Sequence, residues 1–271
     1  MKKSKIVIYM VLTAAALVML FPYLWMILSS LKTSGEIHMI PPTFFPERPT
    51  LSNYATLFGK LPYARLFLNT VLSTVSRIAA QLILCSMAAY AFAKIRFPGR
   101  SALFLIILSV MMVPSQIHMV PQYNIMSALG MVNTVGALIL NGLASAFGIF
   151  LLRQFFATLP DELVESAKVD GCSHLRIYFS ITLPLIGPAL VTLAIFVIQW
   201  TWNDLMWPLI VNTSLTTLPL AAGLAQLAFG EYATDHHIVM AGAAAATLPI
   251  LAVFIALQKY YVEGIKLSGL K

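Results

Sequence analysis

The run from Ser101 to Leu152 contains no Asp, Glu, Lys or Arg. A helix needs about 20 apolar residues to cross the hydrocarbon of a bilayer, so this run alone is long enough for two crossings. Only 10% of the whole chain is charged, against about 25% in a soluble domain. A water-soluble core of this size does not need so much apolar surface, and the sequence therefore predicts a protein embedded in lipid.

Further apolar runs on either side of this one complete the pattern. The long run needs a turn within it, which we place at Pro121–Asn124 and Gly130. The alternating pattern of barrel strands is missing, so we expect an all-α bundle of six transmembrane helices in one domain over residues 1–271. The first run is longer than a signal peptide's apolar core, and we expect it to be a retained anchor. The predicted spans are 6–28, 68–93, 101–120, 134–153, 182–206 and 238–258.

The positions of Lys and Arg predict the orientation of the chain. Four lie in the first long loop, which connects the first two spans, and Arg77 lies within a span. The other side of the membrane receives the remaining twelve, in short clusters: Lys2, Lys3, Lys5, Lys94, Arg96, Arg100, Arg153, Lys168, Arg176, Lys259, Lys266 and Lys271. That side is predicted to be cytoplasmic, with both termini inside. Dispersal between apolar runs argues against nucleic-acid binding despite the net charge of +7.

A polar island at residues 158–180 separates the fourth and fifth spans. Thr158 or Leu159 is a candidate cap for a short helix, and Pro160 suits its first turn. Gly171 can adopt the left-handed conformation that ends a helix. We expect a short helix lying across the membrane exit and continued rigidly into the fifth span, so that a soluble partner holding the helix could move the span.

The same island carries a pattern, E-x-A-x-x-x-G followed after nine residues by I-x-L-P, which resembles the cytoplasmic signature of ABC importer permeases. Ser166 stands where the family has a second alanine. Short sequence segments along nearly the whole chain resemble those of the carbohydrate-uptake branch, which includes the maltose-type permeases. Two of these segments are Trp207-Pro208-Leu209 and Gln258–Gly264. The residues that match the signature are Glu165, Ala167, Gly171, Ile181, Leu183 and Pro184.

This resemblance implies a type I importer architecture and a passive role in ATP-driven uptake of a sugar. The implied partners are a second, homologous permease, two ATP-binding subunits and an extracytoplasmic solute-binding protein. ATP and Mg²⁺ would bind the ATPase, because this chain has no phosphate-binding loop motif, and we expect no cofactor, metal or catalytic residue here. The implied location is a bacterial or archaeal cytoplasmic membrane. The implied ATPase contact comprises Glu162, Glu165, Ser166, Ala167, Asp170 and Gly171, with Leu183 and Pro184 joining the loop to the span.

Polar and aromatic residues near the spans are candidates for the solute path. Asp204, an acid at the outer end of its span, either lines that path with Asn203 or is satisfied by water or a neighbouring helix. Tryptophans 200, 202 and 207 suit either stacking on sugar rings or an interfacial belt. The further candidates Gln116, Tyr123, Asn124 and Asn141 equally suit hydrogen bonding between helices.

Two other features have open interpretations. Arg77 can face the pore or extend its head group outward to the interface, and we favour the second. The adjacent pair His236 and His237 suggests a metal only if a third ligand exists, and it also suits a polar helix end. Cys85 and Cys172 give no disulfide framework.

Three alternative functions remain. A permease for another polar solute, such as one resembling glycerol phosphate, would share every feature above. A secondary transporter would show an inverted repeat and buried carboxylates for ion coupling, and a membrane-embedded enzyme would need a reactive polar cluster at one depth.

Overall fold

The computed structural model describes residues 2–229 and 235–268, with side chains for 5–228, 235–256 and 258. Regular structure in these ranges is helical, including one π-helical segment at Tyr178–Thr182. The α-helices are α1 (Lys2–Ser30), α2 (Ser34–Ile37), α3 (Ser52–Lys60), α4 (Tyr63–Lys94), α5 (Arg100–Val110), α6 (Ser115–Ala128), α7 (Val135–Leu140), α8 (Ala146–Thr158), α9 (Asp161–Val169), α10 (His174–Ile177), α11 (Leu183–Leu185), α12 (Gly187–Trp202), α13 (Met206–Val211), α14 (Leu220–Phe229) and α15 (His236–Ser268). The all-helical prediction is confirmed.

The chain divides into two compact units. The first unit comprises Met1–Ala64 and Leu220–Ala252, and the second unit comprises Arg65–Pro219 and Val253–Lys271. The polar island lies wholly in the second unit.

Length and composition identify fewer uninterrupted spans than the sequence predicts. Among the described residues, three helical stretches are long and apolar enough to cross a membrane: Lys5–Ser30, Tyr63–Lys94 and His236–Ala256. Two bent helix pairs raise the number to five if each pair is one span. The predicted span 134–153 falls on α7 and α8, which are shorter and separated by residues 141–145. The count of six is therefore not established by helix length.

The turn in the long uncharged run is displaced from its predicted place. Helix α6 contains Pro121, Tyr123 and Asn124, so this stretch is helical and the prediction of a turn there is wrong. The chain bends instead before Pro114, and α5 and α6 are inclined at 97°. Pro114 occupies the cap position of α6, where a missing N–H costs no helical hydrogen bond. The second predicted turn residue, Gly130, has a φ of +66° and lies in the turn that follows α6.

In the first unit, the loop after α1 is an ordered segment held by buried polar side chains. The Asn53 amide donates to the carbonyls of Ser30 and Lys32, each at 2.8 Å. Lys32 is 2% exposed, donates to the Thr43 carbonyl and lies 4.6 Å from the centre of the Trp25 ring. These contacts fold the proline-rich loop onto the end of α1. Most of α1 itself is exposed in this chain, as lipid-facing helices are.

The second unit is built around α4. Its main apolar cluster joins α4 to α8, α9, α10 and α12 through buried residues that include Tyr90, Phe156, Val164 and Ile177. The same helix presents polar residues at every fourth position, at 69, 73, 77 and 81, all of which are buried. Residues four apart lie on one helix face, so α4 buries a polar stripe that must find partners.

Candidate functional site

Helix α9 is the short helix predicted in the polar island. Val164 and Ala167 are three residues apart on one face and are buried in the core of the second unit. The acids Asp161 and Glu162 occupy the first turn, where they complement the positive end of the helix. Pro160 is the residue before the helix, while Thr158 ends α8, so the predicted cap at Thr158 or Leu159 is one to two residues early.

The end of α9 is confirmed at the predicted glycine. Gly171 has a φ of +80°, in the left-handed region that favours glycine. Its N–H donates to the Lys168 carbonyl at 3.0 Å, and the N–H of Cys172 donates to the Ala167 carbonyl at 2.9 Å. These two bonds satisfy carbonyls that a helix end leaves unpaired, and they turn the chain sharply toward α10.

The start of α9 is anchored to the end of α4. Lys94 donates from Nζ to the Leu159 carbonyl at 2.6 Å and to Oδ1 of Asp161 at 2.5 Å. The Lys94 side chain is 3% exposed, whereas that of Asp161 is 71% exposed. The hydrogen bond and charge of Lys94 lower the pKa of Asp161, with smaller contributions from the charges of Arg96 and Arg100.

The segment after α9 is anchored to the same helix. The Tyr90 hydroxyl and Nδ1 of His174 are 3.1 Å apart, and the hydroxyls of Ser86 and Tyr178 are 2.6 Å apart. Helix α4 therefore holds the island at both ends, at Asp161 and at Tyr178.

The connection from the island to the fifth span is not straight. Helix α10, the π-helical turn and α11 form one helical arm that includes Leu183 and Pro184. The axis then changes direction by 79° at Ile186 before α12 begins. The predicted rigid continuation is wrong at this point, and the predicted span 182–206 is interrupted near its start. Proline at 184 and again at 188 removes helical N–H donors on both sides of the bend.

The predicted ATPase-contact residues differ in exposure. Five of them are exposed: Glu162, Glu165, Ser166, Asp170 and Gly171. Ala167 is 6% exposed and packs into the core, so it positions the helix from beneath. The sequence prediction missed Val169, which is 88% exposed although it is apolar. The sequence does contain a signal for this exposure, because Val169 lies between the charged residues Lys168 and Asp170 and not on the buried face of the helix.

The buried stripe of α4 meets an acid from another helix end. Arg77, 7% exposed, donates from Nε to the Leu138 carbonyl at 2.8 Å and also from Nη2 to the same carbonyl. Its Nη1 lies 3.5 Å from Oδ2 of Asp204. The preferred prediction for Arg77, an outward-extended head group, is wrong because its guanidinium is enclosed within the second unit. Asp204 therefore pairs with a side chain of a neighbouring helix, Arg77 of α4.

The same stripe satisfies the break between α7 and α8. Gln81 donates to the Gly142 carbonyl at 2.8 Å and accepts from the Ser145 hydroxyl at 2.9 Å. Ser145 also caps α8 by accepting from the N–H of Gly148 at 3.0 Å. Unpaired backbone groups are costly in a membrane, and the amide and hydroxyl groups here remove that cost.

The candidate solute-path residues differ in exposure and in their partners. Trp207 is 2% exposed, and its indole N–H donates to the Ala137 carbonyl at 3.2 Å, so its ring is enclosed. Asn203 is exposed and donates to the Gln199 carbonyl at 2.7 Å. The Trp202 ring packs edge-on against Phe67 at 5.9 Å. The others are Gln116 and Asn124, exposed on α6, and Tyr123 and Asn141, partly buried.

The sequence prediction also missed a cluster of asparagines that orders residues 212–218. The Asn133 side-chain carbonyl, at a residue with a φ of +61°, accepts from the N–H groups of Thr213 and Ser214 and from the Thr217 hydroxyl. Asn212 and Asn69 donate to carbonyls of the same segment. The signal was weak, because isolated asparagines between apolar runs do not reveal distant partners.

The two histidines at the start of α15 lie beside a third. The rings of His38 and His236, both in the first unit, have centroids 5.5 Å apart. Within the part of the chain that the structure describes, no group of three or more His, Cys, Asp or Glu side chains could hold a metal ion.

Comparison with known proteins identifies the family. The model of the family described as binding-protein-dependent transport system inner membrane component matches residues 81–267, which include the whole polar island. The chain belongs to this family. The resemblance to ABC importer permeases is thereby confirmed, and this permease is a membrane subunit of such a transport system.

Named relatives align with nearly the whole length of the permease. The arabinooligosaccharides transport system permease protein AraQ of Halalkalibacterium halodurans is 36% identical over 94% of this chain and 92% of its own length. The lactose transport system permease protein LacG of Rhizobium radiobacter is 34% identical over 96% of this chain and 94% of its own. The sn-glycerol-3-phosphate transport system permease protein UgpE of Salmonella typhi is 31% identical over 92% and 91%.

A solved structure has the same fold. It is the crystal structure of a bacterial ABC transporter involved in the import of the acidic polysaccharide alginate. The matched chain aligns with a TM-score of 0.82 over 96% of this permease and 97% of its own length, at 24% identity. At that identity the match establishes the architecture, and the solute of this permease is a separate question.

Proposed function

We propose that this permease forms half of the translocation pore of an ATP-driven importer and that α9 is its contact with the ATPase. The observation that carries this proposal is the exposed face of α9, in a helix fixed to α4 at both ends of the island. Glu162, Glu165 and Asp170 make that face acidic, and Val169 adds an exposed apolar side chain. A helix held in this way transmits force from a bound partner to the helices behind it.

The proposed assembly contains a second, homologous permease, two ATP-binding subunits and an extracytoplasmic solute-binding protein. The ATPase subunits would bind ATP and Mg²⁺, and this chain would supply no catalytic residue. Both termini and α9 would lie in the cytoplasm, as the clusters of Lys and Arg favour.

We propose a sugar or oligosaccharide as the solute, because two of the relatives are named for arabinooligosaccharides and lactose. A solute resembling glycerol phosphate is the second candidate, because a third relative is named for sn-glycerol-3-phosphate. Direct solute contact is assigned to the exposed or partly exposed candidates: Asn203, Trp202, Gln116, Tyr123, Asn124 and Asn141. Asp204 and Trp207, which are engaged inside the second unit, would shape the path from behind.

The experiment is solute uptake by the complete importer in proteoliposomes, with ATP hydrolysis measured in parallel. Glu165→Ala removes an exposed charge of α9 and is expected to lower solute-stimulated ATP hydrolysis about tenfold, equivalent to about 1.4 kcal/mol of coupling. Gly171→Val should lower it further, because a β-branched residue is strained at a φ of +80°. Glu47→Ala, which removes an exposed acid outside the island, is the matched control and should behave as wild type.

Wild-type coupling in Glu165→Ala and Gly171→Val, at equal membrane levels, would contradict the role of α9. Uptake driven by an ion gradient, without ATP and without a co-purifying ATPase, would instead support a secondary transporter. Comparison of arabinooligosaccharide, lactose and glycerol 3-phosphate uptake distinguishes the two solute classes.

A further inference from the structure

An open cleft lies where α4 ends and α5 begins. It is lined by Arg96, Phe97, Gly99, Arg100 and the first turn of α5, and its volume is about 310 Å³. That volume is at the lower end of the range for small-molecule sites, about 300–1,000 Å³. Two arginines among the lining residues of one small cleft indicate a site for an anion.

The basic side chains around this cleft differ in their interactions. Lys94 donates hydrogen bonds to the Leu159 carbonyl and to Asp161. Arg153 donates to the Phe92 carbonyl at 3.3 Å and lies 4.2 Å from the centre of the Phe104 ring. The two arginines of the cleft have fewer interactions of this kind among the described residues. Arg100 donates to the Ile95 carbonyl at 3.3 Å, and within the described residues neither Arg96 nor Arg100 forms an ion pair with a carboxylate.

The position of the cleft along the chain indicates which anions can reach it. Helix α4 is long and apolar enough to cross a membrane and ends at Lys94, and α5 begins the next apolar segment at Arg100. The cleft therefore lies beyond the ends of two apolar helical segments, where lipid head groups are expected. The Phe97 ring packs 5.8 Å from that of Phe92, so one wall of the cleft is apolar beside its charged edge. Basic residues directly beyond a span are the usual contact for anionic lipids.

We propose that this cleft binds the phosphate of an anionic phospholipid, with the guanidinium groups of Arg96 and Arg100 as its ligands. Guanidinium groups match phosphate oxygens with paired N–H donors, and lysine lacks this geometry. A soluble phosphate ion has the same kind of oxygen acceptors as the lipid phosphate, and the test below distinguishes the two.

Occupancy of the cleft would act on the island. The charges of Arg96 and Arg100 help to keep Asp161 ionised, and Asp161 holds the start of α9 to Lys94. A bound phosphate would draw on the same two charges and reduce their effect at Asp161. The lipid composition of the membrane would thus modulate how firmly α9 is anchored.

The test measures lipid retention by the purified permease, using native mass spectrometry after exchange into phosphatidylglycerol or phosphatidylcholine. Wild-type protein is expected to retain phosphatidylglycerol in preference to phosphatidylcholine. The double variant Arg96→Gln with Arg100→Gln should weaken that retention about 30-fold, which corresponds to two arginines at about 1 kcal/mol each. The double variant Arg48→Gln with Arg65→Gln loses the same charge at exposed positions elsewhere and should stay within about twofold of wild type.

Three outcomes would overturn the proposal. Equal loss of phosphatidylglycerol in both double variants would show unspecific attraction, and equal retention of the two lipids by wild type would show no preference. Displacement of phosphatidylglycerol by millimolar inorganic phosphate would identify a soluble ligand instead.

Folding of the variants is checked by thermal melting, and Arg96→Lys with Arg100→Lys keeps the charge if the glutamine variant fails to fold. The lysine variant is expected to retain phosphatidylglycerol less well than wild type. Hydrogen exchange of the wild-type segment 95–103 gives a second readout, because phosphatidylglycerol should slow it and phosphatidylcholine should not.

Discussion

Asp204 and Arg77 form an ion pair inside the second unit, and the cost of breaking it can be measured. Asp204→Asn removes the negative charge opposite the enclosed guanidinium, which keeps its hydrogen bonds to the Leu138 carbonyl. Removing one partner of a buried pair costs about 3–5 kcal/mol, whereas exposed pairs contribute about 0–1 kcal/mol. We expect Asp204→Asn to lower the melting temperature clearly. Asp235→Asn, at the more exposed pair with Lys60 in the first unit, is the matched control, and an equal effect in both would contradict this argument.

Gly142 is a glycine because Arg77 occupies the space beside it. A β-carbon at residue 142 would lie 2.5 Å from both Cδ and Nε of Arg77. Gly142→Ala is therefore expected to displace Arg77 and to destabilise the protein by about 1–3 kcal/mol, the usual cost of overpacking. Gly187→Ala is the control, since nothing lies within 4 Å of its added β-carbon. Thermal melting in detergent compares them, and equal stability would show that Arg77 is free to move.

The predicted and observed positions of the Arg77 side chain show what a sequence can predict about a single residue. Its depth within a span follows from counting along the chain, and that much was predictable. The direction of its side chain depends on the rotation of α4 and on two partners, at 138 and 204, that are distant in sequence. The same limit applies to Trp207, whose burial is decided by packing against α7.

At the scale of the element, Lys94 is expected to hold the start of α9. Lys94→Met removes the bonds to both Leu159 and Asp161, whereas Asp161→Asn removes only the charge of one partner. Hydrogen exchange of the segment 159–170 should therefore be faster in both variants and fastest in Lys94→Met.

The pH dependence of this contact follows from the lowered pKa of Asp161. The contribution of Asp161 to stability is present above the ordinary aspartate pKa and is lost only as the pH falls through the lower folded value. The effect of Asp161→Asn should then be constant between pH 6 and 8, and a change in that window would contradict the assignment.

Helix α9 was predictable because its signals are local. Acids in the first turn, apolar residues three apart and a terminal glycine all lie within a dozen residues. The breaks at Pro114, at residues 141–145 and at Ile186 were not predicted, although prolines stand near two of them. Pro121 lies inside α6 without ending it, so proline alone does not locate a break. The partners that stabilise each break come from elsewhere in the fold, as Gln81 does for Gly142.

At the scale of the whole molecule, the number of membrane crossings decides whether the two termini lie on the same side. Both termini lie on one side only if that number is even, while helix length and bending give at most five spans among the described residues. The combined stretch of α7 and α8 is the candidate for the sixth. The 6 residues of α7 and the 13 of α8 rise about 28 Å in all at 1.5 Å per residue, and residues 141–145 between them add to the reach of the stretch, against hydrocarbon of about 30 Å. The break within it is tolerable because α4 side chains satisfy the carbonyls of Leu138 and Gly142.

This argument predicts that residues 129 and 169 lie on opposite sides of the membrane. Leu129 and Val169 are 60% and 88% exposed, so Leu129→Cys and Val169→Cys can be tested separately with a membrane-impermeant maleimide, in a chain that also carries Cys172→Ser. Leu129→Cys should react in intact cells, and Val169→Cys only in inside-out vesicles. Buried Cys85 should not react in either. Reaction of both variants from the same side would mean that α7 and α8 do not cross. If both variants reacted in intact cells, the island would lie outside the cytoplasm, out of reach of an ATPase.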